Sequence, residues 1–128
     1  MSTEAPIALI FGAGKVGRGF LGQLLSRSGY RLWFVDRDAA LVARLDAARR
    51  YPVLLMQELP RRVSVEGVKA LHSGDTDAVA ERFAQAAVVL TAVGGPHLPD
   101  VARQIARGVE RRWGTARETP LNILIGEN

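Results

Sequence analysis

The chain has 128 residues, no cysteine, and 17 basic against 13 acidic side chains, for a formal net charge of +4. That length supports one domain with its own core, and the lack of cysteine excludes a disulfide framework or a thiolate metal site. The N-terminus has no basic leader and no cleavable apolar segment, and no apolar run could span a bilayer, so a soluble, cytoplasmic protein without a membrane partner is expected. The basic excess is almost wholly arginine, since Lys15 and Lys69 are the only lysines. It is scattered over several predicted helices with few aromatics between, a poor footprint for nucleic acid.

Residues 7–11 form a continuous apolar run, as a central parallel strand requires. A helix is predicted over 15–28, with Val16, Phe20, Leu21, Leu24 and Leu25 on its buried stripe and Gly29 as its stop. A second strand over 31–35 ends at Asp36, and Asp38 is placed to cap a helix that buries Leu41, Val42 and Leu45. Helical period is then lost. Short strands are expected at 53–56, 62–65 and 68–71, broken by Pro60 and Gly67; part forms an antiparallel insertion and the last rejoins the parallel sheet. Asp75 is expected to cap a helix running to 84, followed by an apolar strand over 87–91 and a turn at Gly94-Gly95-Pro96. Leu98, Val101, Ala102, Ile105, Ala106 and Val109 recur at helical spacing up to Gly114, and 121–125 reads as the last strand. Strands alternating with helices imply an α/β fold: a doubly wound parallel sheet of Rossmann type with right-handed crossovers.

The chemistry concentrates after the first strand. Gly12, Gly14 and Gly17 form G-x-G-x-x-G at a strand-to-helix junction, and Asp36 stands nineteen residues beyond Gly17 at the end of the next strand. Strand, glycine turn, helix, strand and acid in that order make a dinucleotide-binding fingerprint. Gly12 permits the tight turn, Gly14 lets backbone approach a pyrophosphate, and Gly17 lets the helix press on the sheet. Unpaired N–H groups at the helix start receive phosphate charge. Asp36 is expected to accept the ribose hydroxyls and repel a 2′-phosphate, which favours NAD over NADP. The neighbouring Arg37 could instead stack on adenine or take a phosphate. Lys15 and Arg18 sit where a cation is better tolerated beside an anion. The small residues Thr91, Ala92 and Val93 lie where the middle of a dinucleotide would cross the sheet. His72 and His97 stand alone, without a third ligand at metal spacing, so no metal is expected. Trp33 and Trp113 read as core or flank, and no constellation suggests hydrolysis.

Three segments carry a family resemblance: Phe-Gly-Ala-Gly-Lys-Val-Gly-Arg-Gly-Phe (11–20), Thr-Ala-Val-Gly (91–94) and Thr-Pro-Leu-Asn-Ile-Leu-Ile-Gly-Glu-Asn (119–128). Together they resemble the N-terminal domain of the polyol-specific long-chain dehydrogenases, mannitol-1-phosphate 5-dehydrogenases among them. The resemblance implies NAD-dependent interconversion of mannitol 1-phosphate and fructose 6-phosphate. It also implies cofactor contacts from Phe11, Gly12, Ala13, Gly14, Lys15, Val16, Gly17, Arg18 and Gly19, at Asp36, Arg37 and Thr91–Val93, with Asn128 near the nicotinamide. Where relatives often carry cysteine before the terminal Glu-Asn, this chain has Gly126. The family continues into a helical domain bearing the catalytic lysine and most of the substrate site. Residues 1–128 are therefore expected to be the dinucleotide-binding domain alone, inactive without its C-terminal partner domain. Two other readings stay open at this point: a stand-alone NAD-sensing module, and an S-adenosylmethionine-dependent methyltransferase, which also pairs a glycine loop with an acid.

Overall fold

The five residues Ile7–Phe11 (β1) are all buried, and strands Arg31–Asp36 (β2) and Val88–Thr91 (β6) flank them, both parallel to β1. The computed structural model describes residues 5–115 and 119–127. Adding Lys69–His72 (β5) and Asn122–Ile125 (β7) completes a five-stranded sheet of order β5-β2-β1-β6-β7, parallel throughout. The strand order reverses direction between β1 and β6, which makes that junction the topological switch point.

Side-chain alternation along the strands divides the core in two. Ala8, Ile10, Leu32, Phe34 and Leu90 point to one face, where they meet Leu21 and Leu25 of the first helix (α1, residues 15–27) and Leu45 of α2, Ala39–Ala48. Leu9, Phe11, Trp33, Val35 and Val89 point to the other, against Val79 and Phe83 of α3 (Thr76–Gln85) and Val101 of α4 (Leu98–Trp113). The expected insertion is an antiparallel hairpin of Arg50–Leu55 (β3) and Arg61–Glu66 (β4), whose Tyr51, Val53 and Val65 extend the first of these cores. The strand after it rejoins the parallel sheet as expected.

α1 departs from the expected stripe. It holds a π-helical turn, Gly17–Gly22, running into the α-helical turn Gln23–Arg27. Gly17 and Gly22, five residues apart, both face the sheet, as i→i+5 pairing dictates. A Cβ on Gly22 would collide with the hydroxyl of Tyr51, whose ring packs edge-on against that of Phe34 with centroids 5.9 Å apart. The Tyr51 hydroxyl donates to the Arg18 carbonyl of the π turn at 2.7 Å. Burial raises the phenol pKa, the opposing pull of Arg18 being weaker, so Tyr51 stays a neutral donor. The shifted phase turns Val16, Phe20 and Leu24 outward, and all three are exposed.

Smaller corrections concern ends and faces. β3 starts at Arg50, β4 at Arg61, β5 at Lys69 and β7 at Asn122. Asp38 caps α2 as expected, accepting from the Leu41 N–H at 3.1 Å, whereas Asp75 begins α3 without a side-chain cap. On α4, Ala102 and Ala106 face solvent, and Gly108 and Arg112 are buried instead. A Cβ on Gly108 would strike the Phe83 ring, so this glycine lets α4 close on α3. The Arg112 guanidinium donates to the carbonyls of Ala84, Ala86 and Thr119 at 2.9–3.2 Å. Trp33 is core, between Lys69 and Arg82 at 5.1 and 4.4 Å from its ring, while Trp113 is exposed.

Candidate functional site

Every strand of the sheet delivers its carboxyl end to one edge, and the glycine loop forms the floor there. Gly12 leaves β1 with φ +108, a conformation that favours glycine, and a Cβ on it would strike the Ala92 carbonyl. A Cβ on Gly17 would strike the Gly12 carbonyl, so this glycine sets the spacing between helix and loop. Gly14 is different: nothing lies within 4 Å of its Cβ position. The first and third glycines serve the protein's own packing, and the second faces open space.

Asp36 joins this loop to the next strand. Its carboxylate accepts from the Ala13 N–H at 2.8 Å through one oxygen and from the Asp38 N–H at 2.8 Å through the other. A carboxylate has about four lone-pair positions, so acceptor capacity remains on both oxygens. Beside it, the His72 ring is fixed by two backbone groups. Its Nδ1 accepts from the Gly74 N–H at 3.0 Å, which makes Nε2 the protonated nitrogen that donates to the Arg37 carbonyl, also at 3.0 Å. The histidine thus ties the loop after β5 to the loop after β2. Among the described residues no group of three His, Cys, Asp or Glu could hold a metal, and no helix is long and apolar enough to cross a membrane.

A cavity of about 190 Å³ opens at this edge and gathers residues from all parts of the fingerprint: Phe11, Gly12, Gly14, Asp36, Arg37, Ala92 and Val93. Ala13, Gly17 and Thr91 lie buried behind it as support, the Ala13 N–H being taken up by Asp36. Lys15, Arg18 and Gly19 line a separate hollow against Tyr51, Pro52, Val53 and Leu54 of the hairpin. Val16 borders a third hollow with Gly94, Gly95, Gly126 and Glu127. Asn128 lies outside the described residues.

Two sets of residues were not named as site residues by the sequence reading, although His97 was considered there and set aside as a metal ligand. His97, Asp100 and Gln104, beginning just before α4 and recurring on its cavity side, line the wall with Ser73. They form no motif, and only the helical period, by placing Val101 in the core, hints that this flank faces the sheet edge. The Gln104 side-chain oxygen is buried without a hydrogen-bond partner among the described residues. The second omission is Glu127, whose carboxylate accepts from the Val93 N–H at 3.0 Å and the Gly94 N–H at 2.8 Å. Burial pushes its pKa up, but the hydrogen bonds from these two N–H groups outweigh it and hold the carboxyl below its ordinary value. Glu127 therefore anchors the loop after β6 from the far side of the switch point.

The arrangement is a concave site at a switch point, with a bare backbone floor, a buttressed carboxylate and a polar wall that includes Arg37, Ser73, His97, Asp100 and Gln104, and the carboxyl edge of a doubly wound sheet is where such folds bind ligands. Residues 6–128 match the family model described as the mannitol dehydrogenase Rossmann domain. A mannitol-1-phosphate 5-dehydrogenase of Brevibacillus brevis is 46% identical over 122 residues, which cover 95% of this chain and 31% of that protein. The enzyme of the same name from Geobacillus thermodenitrificans is 43% identical, over 94% of this chain and 31% of its own length. The chain thus spans about a third of the curated relatives it matches. A crystal structure from Bacteroides thetaiotaomicron, provisionally assigned as an epimerase, covers 96% of this chain and 48% of its own at a TM-score of 0.51; with 19% identity that likeness is one of fold alone. With this match over residues 6–128, the chain belongs to the mannitol dehydrogenase family as its Rossmann domain.

Proposed function

We propose that the cavity at the carboxyl edge receives NAD(H), and that residues 1–128 are the dinucleotide-binding domain of a larger polyol-phosphate dehydrogenase. Asp36 carries the reading. Backbone N–H groups hold its carboxylate in place while leaving acceptor capacity for ribose hydroxyls, and its negative charge disfavours the 2′-phosphate of NADP. The residues present fit such a ligand: Gly14 leaves its Cβ space free for a pyrophosphate, and the Gln104 oxygen has an unmet need for a donor, which an adenine amine could supply. Phe11, Gly12, Ala92 and Val93 complete the cofactor surface. In this reading Lys15, Val16, Arg18 and Gly19, which line the two hollows beside the cavity, serve the phosphate end, Arg37 serves the adenosine end, and Asn128 is a cofactor contact on the family resemblance alone.

Within such an enzyme this chain binds and orients; the nicotinamide, when bound, supplies the hydride acceptor. The names of the relatives support mannitol 1-phosphate and fructose 6-phosphate as the substrate pair. The groups that grip the sugar phosphate and move its hydroxyl proton belong to the remaining domain of such an enzyme, so the 128-residue chain binds cofactor without turnover. A cytoplasmic setting agrees with the absence of cysteine from the sequence. Nucleic acid and membrane are not partners in this reading.

Calorimetric titration with NADH, NADPH and S-adenosylhomocysteine tests the proposal. NADH is expected to bind at least about tenfold more tightly than NADPH, equivalent to ~1.4 kcal/mol, with the gap shrinking in Asp36→Ala. Equal affinities in the unmodified chain would overturn the role of Asp36. Preference for S-adenosylhomocysteine would overturn the dinucleotide reading.

A further inference from the structure

A parallel strand inside a doubly wound sheet is covered on both faces, and β1 and β6 obey this rule. β7 does not. Its Ile123, Leu124 and Ile125 are all exposed, Leu124 at 53% and Ile125 at 58%. Register assigns their directions. Leu124 pairs with Leu90 and shares the face of α1, while Ile123 and Ile125 pair with Val89 and Thr91 on the opposite face. The outer edge of β7 is open as well. The Gly126 N–H donates to the Thr91 carbonyl of β6, so by alternation the N–H of Leu124 points to β6 and those of Ile123 and Ile125 point away from it.

The outward-turned stripe of α1 adjoins this edge. Val16, Phe20 and Leu24 succeed one another at four-residue spacing, and Phe20 is 63% exposed. Val16 shares a hollow with Gly126 and Glu127, and Leu21 Cδ1 lies 3.5 Å from the Cβ position of Gly126. Stripe and strand therefore approach one another at the Val16–Gly126 end, and both present exposed apolar side chains, of a kind that marks an interaction site. The relatives supply the measure of what is missing, since the match accounts for 31% of their length and leaves about two-thirds of each chain outside it.

We infer that the stripe Val16–Phe20–Leu24 and both faces of β7 form the seat of the remaining domain of the dehydrogenase. The inference rests on reading this chain as one domain of a larger enzyme, but it needs no cofactor. An apolar segment seated there covers Phe20 and Leu124 together and shields the outward N–H groups of Ile123 and Ile125.

The test joins residues 1–128 to the portion of the Brevibacillus brevis enzyme that lies outside the match, and compares this chimera with the 128-residue chain. Hydrogen exchange at the Ile123 and Ile125 amides is expected to slow at least about tenfold in the chimera. The double substitution Phe20→Asp, Leu124→Asp is expected to leave the melting temperature of the 128-residue chain within about 2 °C, as for exposed positions. In the chimera it should lower the melting temperature by several times that shift. Unchanged exchange at both amides, or equal effects of the substitutions in the two proteins, would overturn the proposal, as would a chimera that does not melt cooperatively. Sedimentation of the 128-residue chain as a dimer that Phe20→Asp dissociates would assign the face to a second copy instead. NADH titration of both proteins, run in parallel, reports separately on the cofactor site.

Discussion

The glycine loop offers a two-substitution experiment in which the same added methyl has opposite consequences. In Gly17→Ala the new Cβ meets the Gly12 carbonyl, which is backbone and cannot swing aside, and lies 3.7 Å from Ile10 Cγ2. The helix must back away from β1, an overpacking strain of about 1–3 kcal/mol. For a domain of this size each kcal/mol shifts the melting temperature by roughly 3–5 °C, so a fall on the order of 3–15 °C is expected by circular dichroism. In Gly14→Ala nothing lies within 4 Å of the new atom and the backbone is not left-handed. Stability should then stay within about 1 kcal/mol of the parent, with a small gain from the restricted unfolded chain. The methyl occupies the space proposed for the pyrophosphate, so NADH affinity in calorimetry should drop at least about tenfold, or ~1.4 kcal/mol. Gly17→Ala melting like the parent would refute the packing argument. Gly14→Ala binding NADH as tightly as the parent would remove Gly14 from the ligand site.

Arg112→Met keeps much of the apolar stem but strips donors from the carbonyls of Ala84, Ala86 and Thr119; urea unfolding should show a loss of about 2–4 kcal/mol, since buried acceptors would be left unmet, and a loss under about 0.5 kcal/mol would contradict the role assigned to it. Glu127 makes a pH prediction: its carboxyl titrates below the ordinary 4.5 in the folded chain, so its anchoring of the loop after β6 is fully present above that value and is lost as pH falls through the lower, folded value. The amide resonances of Val93 and Gly94 should move with a midpoint below 4.5, and Glu127→Gln should abolish that transition; a midpoint at or above 4.5 would refute the anchor.

The sheet was legible because its strands are apolar on both faces and are punctuated by Gly29, Gly67 and Gly94, each with positive φ in the structure. The hairpin was legible because the helical period stops at Tyr51. Three glycines and an acid at fixed spacing announced the switch-point site, since each has a separate steric or electrostatic task. The direction of the α1 stripe was not legible: a π turn shifts phase by about one residue, and Phe20 and Leu24 read as core under a uniform 3.6-residue period. Gln104 and Glu127 were missed for another reason. Their importance lies in where a helix and a strand end bring them, 34 residues separating Glu127 from the Val93 N–H it binds, and no local pattern encodes such a pairing.

The double engagement of Asp36 bears on any attempt to retune cofactor choice. In a site where the acid touched only ligand, swapping it for a small neutral residue would be a clean way to admit a 2′-phosphate. Here the same carboxylate is the acceptor for the Ala13 and Asp38 N–H groups, so deleting it loosens the glycine turn and the lead into α2 together. In the proposed site a redesign toward NADP therefore has to replace two acceptors at once, since Asn would keep one oxygen and turn its NH2 toward the other N–H, and has to bring its new positive charge from elsewhere on the rim. Ser73, which also lines the cavity, is such a place. Under the proposed function, one side chain serves both the choice of cofactor and the shape of the loop that holds it.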